Sequence, residues 1–360
     1  MTTIKGLHNA LASLEQLLDS PVPLHSPVRI FDYPAYPYRG LLMDVARHYI
    51  PIHILKRTID GMAASKFSVF HLHLSDAASF PVLLRDTPRF SLSDLAMKGS
   101  FPSGDGQPKI YTRDDLISLV QYAAERGIEI IPEVDMPSHV LSWSKAFPEI
   151  VVNCSSYAEY QDSPQNVYTL DPTNDATLPI IYEILKQIAE IFPSSFIHIG
   201  GDEVHTECWM DLNIPGDITR HDLLHDLMFD IFKIVRSFRK TPIGWQDTID
   251  QGVFPRQPEE ASSIFVDSNQ QAINLFETNK AFVLPAISAQ TVASRDASIS
   301  RPSEFSDIST SAWAVVEAWK CWQGLAGKAA GHAQDMGLDV ITSACWYLDY
   351  DSDLEVIFLT

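Results

Sequence analysis

Basic side chains are scarce in this sequence of 360 residues, in which 26 lysines and arginines face 46 aspartates and glutamates and the net charge is −20. Binding to a phosphate backbone needs clustered Lys and Arg, so this balance predicts no nucleic-acid partner. Long apolar runs are missing too, which predicts no membrane span. The N-terminal segment resembles an amphipathic helix and lacks the apolar core of a signal peptide.

Cysteine is equally rare, and no Cys-x-x-Cys spacing occurs. That spacing is typical of structural zinc sites, so the sequence predicts none. Four free thiols are the default interpretation of Cys154, Cys208, Cys321 and Cys345 by their number alone. The rest of the composition, 46% apolar and 20% charged, is that of an ordinary globular protein and argues against disorder or a fibre.

What the sequence does contain, from about residue 39 onward, is an alternation of short β-rich segments with amphipathic helical ones. The strand candidates are residues 39–44, 67–74, 128–134, 196–201, 241–246, 314–319 and 338–344. Apolar strands separated by helices predict parallel pairing with both faces of the sheet covered. Seven such units predict an α/β fold, a (β/α)8 TIM barrel lacking its eighth strand. A doubly wound sheet is the alternative.

Polar and aromatic residues at the ends of the predicted strands favour the barrel, because barrel enzymes build their sites there. They are Asp44, Asp76, Asp135, Asp202, Glu203, Trp245, Asp247 and Trp319.

Two segments fit the alternation poorly. Residues 1–30 precede the first strand and are interpreted as the remnant of another domain, which leaves residues 31–360 as the barrel. Residues 250–311 form an unusually long connection and are interpreted as an insertion.

The segment 196–209 is the richest in chemistry, since a buried strand leads through two glycines into Asp202 and Glu203. Neighbours on a strand point to opposite faces, so these two carboxylates are expected to diverge. They therefore suit one proton donor and one orienting carboxylate better than a symmetric nucleophile-and-acid pair. A solvated strand-to-helix turn is the alternative.

Two histidines offer a different chemistry. His71 and His73 share one face of a strand, a spacing that binds metal in some barrel hydrolases. Asp76 has the opposite parity and is expected not to join them, so core histidines satisfied by hydrogen bonds are the favoured interpretation. His139, just past another strand end, could tune the pKa of a neighbouring carboxylic acid.

Tryptophans form a further feature, because Trp245, Trp319 and Trp346 all lie at or near strand ends. Aromatic faces at a barrel mouth suit the apolar faces of sugars or an acetyl methyl group. Ordinary packing is the alternative for each of them.

Six segments together resemble glycoside hydrolase family 20, the β-N-acetylhexosaminidases that include the lysosomal hexosaminidases. They are RGLLMDVARHYIP, KFSVFHLHLSDAASFP, EVDMPSHVLSW, IHIGGDEVHTECW, GWQD and SACWYLDY. The resemblance implies an exo-acting, retaining enzyme that needs no cofactor or metal. It would remove terminal N-acetylglucosamine or N-acetylgalactosamine, with the substrate's acetamide as nucleophile and an oxazolinium intermediate.

The resemblance also implies roles for individual residues. Glu203 would protonate the leaving oxygen and then activate water, while Asp202 orients the acetamido N–H. Tyr347 would hydrogen-bond the acetamido carbonyl. Asp76 and His139 would poise Glu203.

The sugar itself would be held by four further residues on this resemblance. Arg47 would bind the hydroxyls at C3 and C4, and Asp349 the hydroxyl at C4 or C6. Trp245 and Trp319 would wall the acetamido pocket. The implied partners are glycans, glycoproteins, glycolipids or chitooligosaccharides ending in N-acetylhexosamine, and the full-length form would be a candidate dimer. The implied location is lysosomal, vacuolar or secreted.

On the same resemblance, residues 1–30 would be the remnant of an N-terminal α/β domain and residues 31–360 the catalytic barrel. The resemblance also bears on the cysteines, and the sequence departs from the family pattern at several points. It implies a disulfide between Cys154 and Cys208. Ala77 replaces a second Asp usual after Asp76, and the family's eighth strand, with a pocket Trp and a sugar-binding Glu, has no counterpart. A catalytically impaired or inactive glycan-binding fragment is therefore the alternative function, and a metal-dependent hydrolase using His71 and His73 is a third.

Overall fold

The structure, a computed structural model, describes residues 4–19, 29–153, 168–210, 212, 214, 218–253, 312–321 and 324–348. Nine strands lie in these ranges: β1 (Gly40–Asp44), β2 (Val69–His73), β3 (Glu129–Glu133), β4 (Val151–Asn153), β5 (Tyr168–Leu170), β6 (Phe196–His198), β7 (Thr241–Trp245), β8 (Val315–Ala318) and β9 (Asp339–Thr342). Strands β4 and β5 form a separate antiparallel pair.

The other seven strands form one parallel sheet in the order β1-β2-β3-β6-β7-β8-β9, which is their order along the chain. Each of them falls in a segment predicted as a strand. A doubly wound sheet reverses its strand order at a switch point, so that alternative is wrong. The described residues thus supply seven parallel strands of a (β/α)8-type barrel, as predicted.

Helices connect and cover these strands. They are α1 (Ile4–Leu18), α2 (Ile52–Ala64), α3 (Ser93–Gly99), α4 (Arg113–Ala124), α5 (Thr177–Ile191), α6 (Arg220–Ser237), α7 (Asp247–Asp250) and α8 (Leu325–Asp335), with 3₁₀ turns at Leu141–Lys145, Pro148–Ile150 and Thr206–Trp209. Thr112 and Thr219 begin α4 and α6 with capping boxes, in which each threonine and an aspartate three residues later satisfy each other's backbone N–H groups. Among the helices in the described ranges, none combines the length and apolar character needed to cross a membrane.

The interior of the barrel has an apolar layer and a polar layer. The apolar layer consists of Val69, Ile131, Phe196, Ile243 and Val315, one residue from each of five neighbouring strands. Two residues further along the same strands, and therefore pointing inward as well, lie His71, Glu133, His198, Trp245 and Glu317. Parallel strands place these five side chains at the same end of the barrel, toward the carboxyl ends of the strands.

The predicted N-terminal helix is confirmed as α1, which packs against α2. Lys66, just after α2, contacts both α1 and the segment before β1. Its Nζ lies 2.7 Å from Ser13 Oγ and 2.7 Å from Asp32 Oδ2. The interpretation of residues 1–30 as a domain remnant stays a prediction. Most of the predicted insertion, residues 254–311, lies outside the described residues.

Cysteine pairing differs from the count-based expectation of four free thiols, which is wrong. Cys321 and Cys345 form a disulfide with their Cα atoms 5.0 Å apart. It joins the segments that follow β8 and β9. Cys208 is also disulfide-bonded. Cys154 lies outside the described residues, so its pairing with Cys208 stays a prediction.

Candidate active site

The loop after β6 carries the two neighbouring carboxylates. Strand β6 ends at His198, and the backbone then turns through positive φ at Gly200 (+72°), Gly201 (+92°) and Glu203 (+49°). The expectation that strand alternation separates Asp202 from Glu203 is wrong, because both residues lie beyond the strand. Their carboxylates converge on Nε2 of His139, with Asp202 at 3.5 Å and Glu203 at 3.4 Å.

Gly200 makes this turn possible. A Cβ atom at position 200 would lie well inside the van der Waals contact distance of Asp135 Oδ1, and its φ already disfavours other residues. Asp135, at the end of β3, therefore packs directly against the loop that presents Asp202 and Glu203. Burial and the neighbouring Asp202 charge hold the pKa of Asp135 well above its ordinary value.

His139 is a buried histidine in contact with both carboxylates. Burial by itself would lower the pKa of His139, but the Asp135 and Asp202 carboxylates raise it well above its ordinary value. Its Nδ1 atom lies 4.0 Å from Asp76 Oδ2, on the far side from Glu203. The structure therefore brings together Asp76, His139, Asp202 and Glu203, as the sequence predicts.

Asp76 in turn receives Arg47 and His73. Arg47 Nη2 lies 2.7 Å from Asp76 Oδ2, and its Nη1 lies 2.7 Å from Asp44 Oδ2, while half of the Arg47 side chain (49%) stays exposed. His73 Nε2 is 3.2 Å from Asp76 Oδ2, so the expectation that Asp76 stays apart from the histidines is wrong. Strand β2 ends at His73, and strand parity does not extend to Asp76.

Opposing effects act on the pKa values of Asp76 and Arg47. Burial raises the pKa of the Asp76 carboxyl, but the His73 hydrogen bond and the Arg47 charge lower it overall. Burial lowers the pKa of the Arg47 guanidinium, and the Asp76 and Asp44 charges more than offset that, so its pKa lies above its ordinary range. Both groups are therefore held in their charged forms.

Below these residues, Glu133 binds three histidines and an indole. His71 Nε2 lies 2.7 Å and His73 Nδ1 2.9 Å from Oε2 of Glu133, while His198 Nδ1 lies 3.3 Å from Oε1. Trp245 donates its Nε1–H to Oε1 at 2.8 Å. The interpretation as a core histidine satisfied by hydrogen bonds is confirmed for His73, which is bonded to Asp76, while His71 is held by an ion pair with Glu133.

Metal binding is the competing explanation of this cluster. Among the described residues, one set of side chains whose ligand atoms lie close enough to share an ion is His71, Glu133 and His198. The His71 Nε2 and His198 Nδ1 atoms already lie 2.7 and 3.3 Å from Glu133 oxygens. His198 Nδ1 also accepts the backbone N–H of Gly200 at 3.0 Å, so these ligand atoms already have partners within the protein.

A second group joins the ends of β7 and β8. Trp319 donates its indole N–H to Asp247 Oδ2 at 2.8 Å. Lys320 Nζ bridges Asp247 Oδ1 at 3.1 Å and Asp250 Oδ2 at 2.7 Å. Burial and the Asp202 charge raise the pKa of Asp247, against the opposing effects of Lys320 and the Trp319 hydrogen bond. The two predicted pocket tryptophans are thus fixed by hydrogen bonds at adjacent strand ends.

The remaining predicted residues follow β9. Tyr347 lies five residues beyond the strand with 36% of its surface exposed, and Trp346 beside it is 79% exposed. Asp349 lies outside the described residues. The predicted contacts of Tyr347 and Asp349 with a sugar stay predictions.

Sequence reasoning missed the functional importance of Glu133, His198 and Glu317. Each is a buried ionisable residue at an inward-pointing position of a barrel strand. His198 and Glu317 have only apolar neighbours in their strands, whereas Glu133 shares β3 with Glu129. An ionisable residue at a buried strand position needs a compensating partner, so a charge at such a position is the signal that could have found them.

Ionisable side chains gather at the carboxyl ends of these barrel strands, which is where barrel enzymes build their sites. The catalytic domain of glycosyl hydrolase family 20 matches residues 36–293, and the chain belongs to this family.

Several relatives agree with this assignment. The β-hexosaminidase subunit A2 of Dictyostelium discoideum is 33% identical over 261 residues, which is 70% of this chain and 45% of that protein. The human β-hexosaminidase subunit beta is 34% identical over 229 residues, covering 61% of this chain and 39% of its own length. The chain thus spans less than half the length of these relatives.

Solved structures share the fold. An exo β-N-acetylglucosaminidase from Vibrio harveyi aligns with a TM-score of 0.64 at 20% identity, covering 94% of this chain and 47% of that one. The Flavobacterium johnsoniae chitobiase aligns with a TM-score of 0.63 at 26% identity, covering 95% and 44%.

Proposed function

We propose that this chain is the catalytic barrel of an exo-acting, retaining β-N-acetylhexosaminidase that releases terminal N-acetylglucosamine or N-acetylgalactosamine. The observation that carries the proposal is the convergence of Asp202 and Glu203 on one buried histidine, His139. The two neighbouring carboxylates differ in exposure, 17% for the Asp202 side chain and 40% for Glu203. Unequal surroundings suit two carboxylates with different tasks.

Glu203 is the general acid and base in this proposal. Its partly exposed carboxyl donates a proton to the glycosidic oxygen as the bond from that oxygen to C1 breaks. The carbonyl oxygen of the substrate's 2-acetamido group attacks C1 from the opposite face and forms the oxazolinium ion. Glu203 then takes a proton from water, which attacks C1 and reopens the ring. Two inversions at C1 give net retention.

Asp202 stabilises the charge that develops on the acetamide. Burial would raise the pKa of Asp202, but His139 lowers it overall, so the carboxylate is held ionised. An ionised carboxylate accepts a hydrogen bond from the acetamido N–H and offsets the positive charge of the oxazolinium ion. Tyr347 would complete this pocket by donating its hydroxyl to the acetamido carbonyl.

Sugar recognition falls to Arg47, Asp349 and the tryptophans. Arg47 is half exposed while two carboxylates fix its guanidinium, so it can offer its remaining N–H groups to the C3 and C4 hydroxyls. Asp349 would bind the C4 or C6 hydroxyl. Trp245 and Trp319 are fixed by hydrogen bonds at their nitrogens, and each would wall the acetamido pocket with part of its ring.

The relatives support this substrate class, since they include β-hexosaminidases, a chitobiase and an exo β-N-acetylglucosaminidase. The proposed partners are accordingly glycans, glycoproteins, glycolipids or chitooligosaccharides ending in N-acetylhexosamine. By the same analogy we propose a lysosomal, vacuolar or secreted location and a dimer for the full-length form.

Hydrolysis of a chromogenic N-acetyl-β-glucosaminide tests the proposal. Glu203→Gln should lower kcat by a factor of about 100 or more, because the amide cannot donate the catalytic proton. Glu183→Gln, which removes a carboxylate on the outer helix α5, should leave the rate unchanged. Equal activity of Glu203→Gln and the wild type would refute the assignment. Binding of N-acetylglucosamine without turnover in the wild type would instead support a glycan-binding role.

A further inference from the structure

Glu133 is completely buried at the end of β3, below the proposed sugar site. Its two oxygens divide four partners between them. Oε1 accepts from Trp245 Nε1 at 2.8 Å and faces His198 Nδ1 at 3.3 Å. Oε2 faces His71 Nε2 at 2.7 Å and His73 Nδ1 at 2.9 Å. A buried carboxylate with this many partners fixes the geometry of all of them.

Glu133 contacts the indole of Trp245 at its nitrogen, and two histidines lie beside the ring. Its nitrogen is bound by Glu133, and the imidazoles of His198 and His71 lie with ring centroids 4.6 and 5.7 Å from the indole. His71 is itself paired with Glu133, whereas His198 Nδ1 accepts the backbone N–H of Gly200 at 3.0 Å and lies 3.3 Å from Glu133 Oε1. One carboxylate therefore sets the hydrogen bond of the indole and holds one of the rings beside it.

A second path leads from Glu133 to the sugar-binding arginine. His73 contacts Glu133 through Nδ1 and Asp76 through Nε2 at 3.2 Å, and Asp76 binds Arg47 at 2.7 Å. A shift of the Glu133 carboxylate would thus be transmitted through His73 to Asp76. The positions of Trp245 and Arg47 in the proposed sugar site thus both depend on Glu133.

We propose that Glu133 is a positioning residue, which fixes Trp245 and the His73–Asp76 pair by the reach of its side chain and so aligns the acetamido pocket. The proposal rests on the proposed function of Trp245 and Arg47. Glu133 contacts no substrate in it.

Reach and charge can be separated by two conservative substitutions. Glu133→Gln loses the charge but keeps an oxygen at the same distance from Cα, which can still accept the indole N–H. Glu133→Asp keeps the charge but withdraws the carboxylate by about 1.5 Å, one carbon–carbon bond, from Trp245. Positioning predicts that Gln outperforms Asp, and a purely electrostatic role predicts the reverse.

Glu129 provides a matched control on the same strand. It is the first residue of β3 as Glu133 is the last, it has the same inward parity, and it is 2% exposed. Its Oε1 accepts from Ser194 Oγ at 2.7 Å, at the opposite end of the barrel from the proposed site. Glu129→Asp shortens an equally buried carboxylate without touching Trp245.

The kinetic test compares these variants on the chromogenic N-acetyl-β-glucosaminide. Glu133→Asp should lower kcat/KM about 100-fold, mostly through kcat, because displacements of about 1 Å in aligned groups cost this much. Glu133→Gln and Glu129→Asp should each stay within about tenfold of the wild type. Loss of activity in Gln rather than Asp, or equal loss in Glu129→Asp, would overturn the proposal.

A measurement without substrate separates this proposal from the proposed function. The indole ¹⁵N–¹H signal of Trp245, assigned by its disappearance in Trp245→Phe, should persist at its wild-type position in Glu133→Gln. It should shift and exchange faster with solvent in Glu133→Asp. An unshifted signal in the Asp variant would overturn the positioning role even in an active enzyme. A wild type that fails to turn over substrate, with the signal behaving as predicted, would contradict only the proposed function.

Discussion

Single side chains in this barrel form an alternating series of buried charges that leads from the interior to the proposed active site. Glu133 is paired with His73, His73 with Asp76, and Asp76 faces His139 beneath Glu203. Each of these charges would be costly if it were buried alone, and its neighbour offsets that cost. The pKa shifts, raised for His73 and His139 and lowered for Glu133 and Asp76, follow from this alternation.

His71 makes the consequence for stability testable. Burial lowers its pKa, but Glu133 and Glu317 outweigh burial and raise it from 6.5 to about 9. A raised pKa means that the native state holds the proton more tightly, so the stabilisation is complete below pH 6.5 and is lost as the pH rises through about 9. The free energy of unfolding should fall by on the order of 3 kcal/mol across that window.

Urea unfolding of the wild type and His71→Gln at several pH values between about 6 and 10 measures this loss. The variant should show a flatter dependence on pH, whereas His53→Gln, on the exposed side of α2, should retain the wild-type slope. Parallel pH profiles of His71→Gln and the wild type would contradict the ion-pair account.

At the scale of elements, the loop after β6 depends on Gly200. Gly200→Ala should lower kcat/KM about 100-fold or more, because the new methyl group collides with Asp135 at a positive φ and displaces Asp202 and Glu203. Gly104→Ala, in an exposed turn with no atom within 4 Å of the added carbon, is the matched control. Steady-state kinetics on both variants distinguish the outcomes, and a fully active Gly200→Ala would rule out this packing.

The disulfide between Cys321 and Cys345 fastens the ends of β8 and β9. It closes a segment with a sequence separation of 24, so replacing both cysteines by alanine should cost about 3 kcal/mol of unfolding free energy on the chain-entropy description. Ser343→Ala removes a weaker tie at the same junction, the 3.3 Å hydrogen bond to the Ala318 carbonyl, and should cost about 1 kcal/mol or less. Equal stability of the double-alanine variant and the wild type, in denaturant titrations, would contradict this contribution.

At the scale of the whole molecule, the barrel topology can be predicted from the sequence because apolar strands and amphipathic helices alternate along it with little ambiguity. Segments such as 67–74 and 128–134 are bounded clearly, and Asp76 and Asp135 follow directly after their carboxyl ends. Parallel strands bring those ends together, so the clustering of Asp76, His139 and Glu203 followed from topology.

Two kinds of feature escaped sequence reasoning for physical reasons. Strand parity fails once a strand ends, so it could not place Asp76 beside His73 or bring Asp202 and Glu203 onto one histidine. Pairings across the barrel, such as Trp245 with Glu133, depend on the register of non-adjacent strands, which local patterns do not encode. The disulfide between Cys321 and Cys345 depends instead on the course of the segments that follow β8 and β9, which local patterns do not encode either.

Dependence of the rate on the substrate's own acetamide tests the central claim most directly. Replacing the acetyl group of a chromogenic N-acetyl-β-glucosaminide by trifluoroacetyl withdraws electrons from the carbonyl oxygen and weakens it as a nucleophile. If that oxygen attacks C1 while Asp202 orients it and Glu203 donates the proton, kcat/KM should fall by about 100-fold or more, with retained configuration in the product. Similar rates for both substrates, or an inverted product, would contradict the account.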